Sequence, residues 1–134
     1  MVTLVDANMW IDFTRPRSPQ NLKQFIAPYI LHPTAHLAEP IAFEVLRHAT
    51  PKESRQLQQQ FQTLPMLSTP AALWTLAADL GQTCRNHGHT AGALDLLIAC
   101  VALSHQATIV TFDEDFQKIA AVSDLQVKFL PRPV

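Results

Sequence analysis

The chain has 134 residues, 48% of them apolar and 16% charged, and a formal net charge of −1. That length makes one domain, 1–134, with room for a core, and the balance excludes a disordered, collagen-like or low-complexity chain. The near-neutral charge argues against a wide basic nucleic-acid footprint, and the sequence has neither a membrane-length apolar run nor a signal-peptide pattern, so a cytoplasmic protein without membrane contact is expected.

Val2 to Val5 is a β-branched and aliphatic run that reads as a strand buried on both faces of a parallel sheet. Asp6 ends it, where acids point into the crevice in which ligands bind. Met9-Trp10-Ile11 reads as a short apolar helix or turn, and Thr14 to Ser18 as a basic loop. Ser18-Pro19 caps a helix with the stripe Leu22, Phe25, Ile26 and Tyr29, and Tyr29 to Leu31 reads as a short second strand. Pro40 opens a helix with Ile41 and Val45 on one side and Glu44 beside them. Thr50-Pro51-Lys52-Glu53 is a capping box that starts a polar helix with Leu57, Phe61 and Leu64 inward. Pro65 to Leu67 reads as a short strand. Thr69-Pro70 caps a long helix from Ala71 to about Arg85, which Asn86 to Gly88 stops. Thr90 to Leu103 is an apolar helix, Ala107 to Thr111 a buried strand, Phe112 to Ala121 a helix or turn, and Val127 to Leu130 a last strand. Strands alternating with helices predict a three-layer α/β/α sandwich around a mostly parallel sheet. Cys84 and Cys100 have no metal-ligand spacing and read as buried free thiols.

Four acids stand out against this background. Asp95 is the only charge in Thr90 to Leu103, Asp6 the only one in Met1 to Ile11, and Glu44 the only one in Pro40 to Leu46. TFDEDF, Thr111 to Phe116, directly follows an apolar strand. An ionised carboxylate in apolar surroundings costs several kcal/mol unless a cation meets it. Two such charges 4 Å apart repel by roughly 4 kcal/mol at an effective dielectric near 20. No Lys or Arg lies within these apolar stretches, so either a distant basic residue or a cation meets the acids, with Arg47 or Lys23 the alternative partner for Glu44. Oxygen ligands without His or thiolate favour Mg²⁺ or Mn²⁺ over Zn²⁺. Ions so held activate water and stabilise the leaving oxygen of a phosphodiester. Asn8 and Thr111 read as hydrogen-bonding supports. Asp113 is expected to be the fourth ligand ahead of Asp115, because residues two apart on a helix face different sides.

These residues resemble a known family. VTLVDANMWIDF, with Asp6, is similar to the opening of PIN-domain proteins, and above all of the VapC toxins of toxin–antitoxin pairs. Glu44 in FEVLRH matches the second acid, with His48 where the family often has Gly. Asp95 in GHTAGALDLLIACVAL matches the third, seven residues after Gly88, and TFDEDF is similar to T-x-D-x-D-F, with Asp113 at the fourth acid and Asp115 close behind. The resemblance covers essentially the whole chain. It implies a PIN-like fold and a metal-dependent RNA endonuclease with Asp6, Glu44, Asp95 and Asp113 as catalytic metal ligands. It also implies a cognate antitoxin as partner and a homodimer.

Two other functions compete. Asp6 at the end of a first strand suits a phosphatase or phosphoryl-transfer domain, but such phosphatases need a second acid two residues on, and this chain has Asn8. A non-catalytic PIN-like binding module with a relic cluster is the third. The stripes of the helices at Leu22 to Tyr29 and Ile41 to Leu46, with Trp10, Ile11 and Phe13, offer a groove for an antitoxin segment.

Overall fold

The computed structural model describes residues 1–133. Its centre is a four-stranded sheet, order β2-β1-β3-β4, with every pairing parallel. The strands are β1 (Thr3–Val5), β2 (Ala35–His36), β3 (Thr108–Thr111) and β4 (Gln126–Phe129). Leu4, Val5, Ile109, Val110 and Thr111 are buried, as expected of central strands covered on both sides. The edge strand β4 alternates exposed Gln126 and Lys128 with half-buried Val127 and Phe129.

Helices flank the sheet. α1 (Ala7–Thr14) follows β1 directly, because Asp6 is extended and its carboxylate accepts the Ala7 N–H. α2 (Gln20–Ile30) and α3 (Glu39–Arg47) pack against α1, α4 (Pro51–Phe61) continues from α3, and α5 (Leu73–Asn86) pairs with α6 (Ala93–His105). The capping box of α4 forms: Glu53 N–H donates to Thr50 Oγ1 at 3.2 Å and Thr50 N–H to Glu53 Oε1 at 3.0 Å. α5 ends in a Schellman turn, with His89 N–H bonded to Cys84 O and Gly88 N–H to Arg85 O. Gly88 takes φ 85 there, a value that penalises any side chain. The short α7 (Asp115–Ala120) bridges β3 and β4.

Several expectations need correction. Tyr29 to Leu31 is the end of α2, not a strand; its apolar residues continue the α2 stripe, and Ile26 and Ile30 are buried by it. The second strand is Ala35–His36. Pro65 to Leu67 makes only an isolated parallel bridge, Leu37 with Met66. α5 starts at Leu73, and Thr69 bonds Glu39 Oε1 instead of capping it. Cys84 and Cys100 are buried free thiols, as expected. Among the described residues no helix is long and apolar enough to cross a membrane.

Candidate metal centre

Adjacent parallel strands build the site. Val5 is in register with Val110, and Asp6 N–H donates to Val110 O at 2.9 Å. The carboxyl ends of β1 and β3 therefore lie side by side, with Asp6 leaving one and Thr111 closing the other. From β1 the chain passes first to β2 on one flank and later to β3 on the other. Ligands of open parallel sheets bind at such a reversal.

Each acid is placed by a local feature. Asp6 is 5% exposed and both its oxygens are engaged: Oδ1 accepts the Ala7 N–H at 2.7 Å and Oδ2 accepts the Thr111 hydroxyl at 2.7 Å. Asp95 sits in the first turn of α6, where the helix dipole favours an anion. The stretch from Ile98 to Ala102 is fully buried, but Asp95 itself is half-buried. Asp113 lies in the turn after β3. Its N–H donates to Thr111 Oγ1 at 2.9 Å and its Oδ1 accepts the Asp115 N–H at 2.9 Å. Glu44 reaches the cleft from α3.

Asp6, Asn8, Ile11, Glu44, Asp95 and Asp113 line a cleft of about 430 Å³. Oxygens of Asp95, Asp113 and Asp115 lie within 4.8 Å of one another. A hard cation with oxygen ligands at 2.0–2.6 Å fits between atoms so spaced. Asp115 thus joins the cluster alongside Asp113. The helical argument that separated them does not apply, because Asp113 precedes the helix and only Asp115 lies on it. Asp6 and Glu44 border the same cleft, Asp6 with its oxygens already bonded and Glu44 turned toward basic neighbours.

The electrostatics agree with crowding. Burial, then the charges of Asp113 and Glu44, raise the Asp6 carboxyl to about 6, against the lowering by the Thr111 and Ala7 bonds. Burial, then Asp6, Asp113, Asp115 and Glu44, raise Asp95 to about 7. Both are acids held where the anion is disfavoured until a cation arrives. The chain's own cations stand at the edges. Arg47 Nη2 donates to Glu44 Oε1 at 3.3 Å, and its Nε is 3.3 Å from Oε2 without hydrogen-bond alignment. His48 Nε2 is 3.6 Å from Glu44 Oε1 and Lys118 Nζ 3.7 Å from Asp115 Oδ1. Asn8 Oδ1 is buried at the cleft with no protein partner. Lone acids in apolar stretches gave sequence reasoning its signal. The pairing of Glu44 with Arg47 was also readable, from their three-residue spacing, whereas that of Asp115 with Lys118 was not singled out.

The helix stripes assigned to an antitoxin groove are largely used internally. Trp10, Ile26, Ile41 and Val45 are fully buried in this domain's core. Exposed apolar side chains include Phe43 at 58% and Trp74 at 74%, which border a groove of about 530 Å³ with Leu73, Leu94 and Leu97.

Comparison with known proteins gives a consistent result. The family described as PIN domain matches residues 3–122. Ribonuclease VapC11 of Mycobacterium tuberculosis is 30% identical over 128 residues, covering 92% of this chain and 95% of that protein. A VapC ribonuclease of Mycobacterium bovis matches equally. Among solved structures, FitAB bound to a DNA fragment superimposes with TM-score 0.73 at 20% identity, covering 96% of this chain and 94% of that one. VapBC-1 from nontypeable Haemophilus influenzae does so with TM-score 0.72 at 22% identity, covering 96% and 98%. At these identities the structures speak for the fold.

Proposed function

The chain belongs to the PIN-domain family, and we propose that it is a metal-dependent RNA endonuclease, the toxin of a toxin–antitoxin pair. The observation that carries this reading is the convergence of Asp6, Glu44, Asp95 and Asp113 from four separate segments on one cleft, with Asp115 beside Asp95 and Asp113. The relatives over nearly the full chain are named as VapC ribonucleases, which supports RNA as substrate, and a solved structure of the same fold is a toxin–antitoxin complex, which supports an antitoxin as partner.

Asp95, Asp113 and Asp115 would hold the ion, with Asp6 and Glu44 at the border, and oxygen-only donors favour Mg²⁺ or Mn²⁺. When bound, such an ion supplies Lewis-acid stabilisation of charge developing on phosphate oxygens and makes water a stronger nucleophile at neutral pH. The protein's residues do the rest. Thr111 fixes the Asp6 carboxylate by its hydroxyl, and the α6 N-terminus orients Asp95. Asn8 Oδ1 is free to accept a proton-bearing group of substrate or water inside the cleft. Without the ion, burial and the neighbouring acids raise the carboxyls of Asp6 and Asp95 to about 6 and about 7, so uptake of the ion would release protons near neutral pH.

The homodimer we infer uses the exposed face of Phe43 and Trp74. That groove shares Leu94 with the acid cleft, so a second copy seated there would extend the wall of the site. Cleavage of RNA with added Mg²⁺ or Mn²⁺, repeated with Asp95→Asn, tests the reading. Metal-dependent cleavage lost in the variant supports it. Equal activity of the two proteins, or none in either, opposes it.

A further inference from the structure

We infer that Arg47 and Lys118 are phosphate-binding residues, one on α3 and one on α7, that hold the RNA backbone on either flank of the bond to be cut. The inference rests on the nuclease reading above. It starts from a conflict of charge. The substrate is a polyanion, and the cleft it must enter is walled by carboxylates. Binding of single-stranded RNA needs cations that track its phosphates. The chain's net charge of −1 gives no overall attraction for a polyanion, so cations beside the cleft are the ones placed to hold it.

Among the described residues, Arg47 and Lys118 are the Arg and Lys side chains that form ion pairs with acids of the cluster. The two arrangements match. Each cation lies three residues after its acid, Arg47 after Glu44 and Lys118 after Asp115, one helical turn on. Each is exposed, 49% and 57% by side chain, so each head group stands at the mouth of the site and not within it. Two further basic side chains are engaged elsewhere. Arg132 pairs with Asp12 and lies over the Phe112 ring, and Lys128 lies over Tyr29.

Both pairs are loose. Glu44 Oε2 receives no aligned hydrogen bond, the Arg47 bond to Oε1 is 3.3 Å long, and Lys118 is 3.7 Å away. Exposed one-turn pairs of this kind contribute little to stability, so exchanging a carboxylate for a phosphate is cheap. The chemistry of the exchange is favourable. A guanidinium matches two phosphate oxygens at once, and an ammonium binds phosphate as a point charge. The same side chains therefore screen the acids when the cleft is empty and grip backbone when it is filled.

The test uses Asp95→Asn as a common background, so that RNA is bound without being cut. A short fluorescein-labelled single-stranded RNA of mixed sequence is titrated over a range of KCl and followed by anisotropy. Arg47→Ala with Lys118→Ala should weaken binding about tenfold near physiological salt. It should also lower the slope of log affinity against log salt by about 1.4, the share of two phosphate contacts on a single strand. Arg47→Lys with Lys118→Arg should keep the slope. Matching melting temperatures exclude unfolding as the cause. Unchanged affinity and slope in the alanine variant, with the background protein binding RNA, would overturn the assignment and leave the nuclease reading standing. No binding by the background protein would remove both.

Discussion

The Thr111 hydroxyl donates a 2.7 Å hydrogen bond to Asp6 Oδ2 across 105 positions of sequence, and Thr111 Oγ1 itself accepts the Asp113 N–H at 2.9 Å. One buried hydroxyl thus ties the acid after β1 to the acid after β3. Thr111→Val keeps the shape but removes the donor to a carboxylate and the acceptor of a backbone N–H. The expected cost is about 1–3 kcal/mol of stability, with a fall in metal-dependent activity. Thr111→Ser should restore most of both. Denaturant unfolding and an RNA cleavage assay check this; a fully active, fully stable Thr111→Val would reduce Thr111 to a packing residue.

The reason Asp6 was readable in the sequence is physical. A lone charge after a buried β-branched run has few structural uses, and the same holds for Asp95 in an apolar helix. The central strands β1 and β3 were legible for a related reason, since strands covered on both faces read as continuous apolar runs. The strand β2 was not, because two residues, Ala35 and His36, carry no periodicity. Tyr29 to Leu31 misled because aromatic and β-branched residues serve a helix stripe as well as a strand. The partnership of Asp113 and Asp115 was hidden by one helix boundary. Where α7 begins decides whether they share a face, and boundaries are what pattern reading fixes least well.

That boundary yields a second prediction. Asp113 and Asp115 both present oxygens to Asp95, so alanine at either should reduce cleavage by orders of magnitude. The two differ in stability. Asp113 Oδ1 also accepts the Asp115 N–H at the start of α7, so Asp113→Ala should cost about 1 kcal/mol more than Asp115→Ala, the usual worth of such a cap. Melts of both variants beside their cleavage rates separate the roles. Strong activity in Asp115→Ala would return the fourth ligand position to Asp113 alone.

The exposed Phe43 and Trp74 give a third. Aromatic side chains left 58% and 74% exposed beside one apolar groove are expected at a surface that a partner covers. If a second copy covers it, Trp74→Glu should convert a dimer to a monomer in light scattering while leaving the melting temperature of the monomer intact, since Trp74 contributes little to the core. A monomeric wild-type chain at high concentration would assign that face to another partner.

The last prediction concerns pH and metal together. Asp6 and Asp95 have folded carboxyls raised from 3.8 to about 6 and about 7. A raised acid means that the folded state binds more protons than the unfolded one between those values, so stability falls as pH rises through that window and levels above it. The metal-free protein should therefore melt higher at about pH 5 than at about pH 8. A divalent cation acts in the opposite sense, since it binds the ionised cluster and stabilises the fold by mass action. Added Mg²⁺ or Mn²⁺ should raise the melting temperature more at the higher pH than at the lower. Asp95→Asn removes one of the two raised acids, so its metal-free melting temperature should equal or exceed that of wild type at the higher pH, with a smaller response to metal. If instead Asp95→Asn unfolds and metal has no effect at any pH, Asp95 is a structural partner and the cluster is not a cation site.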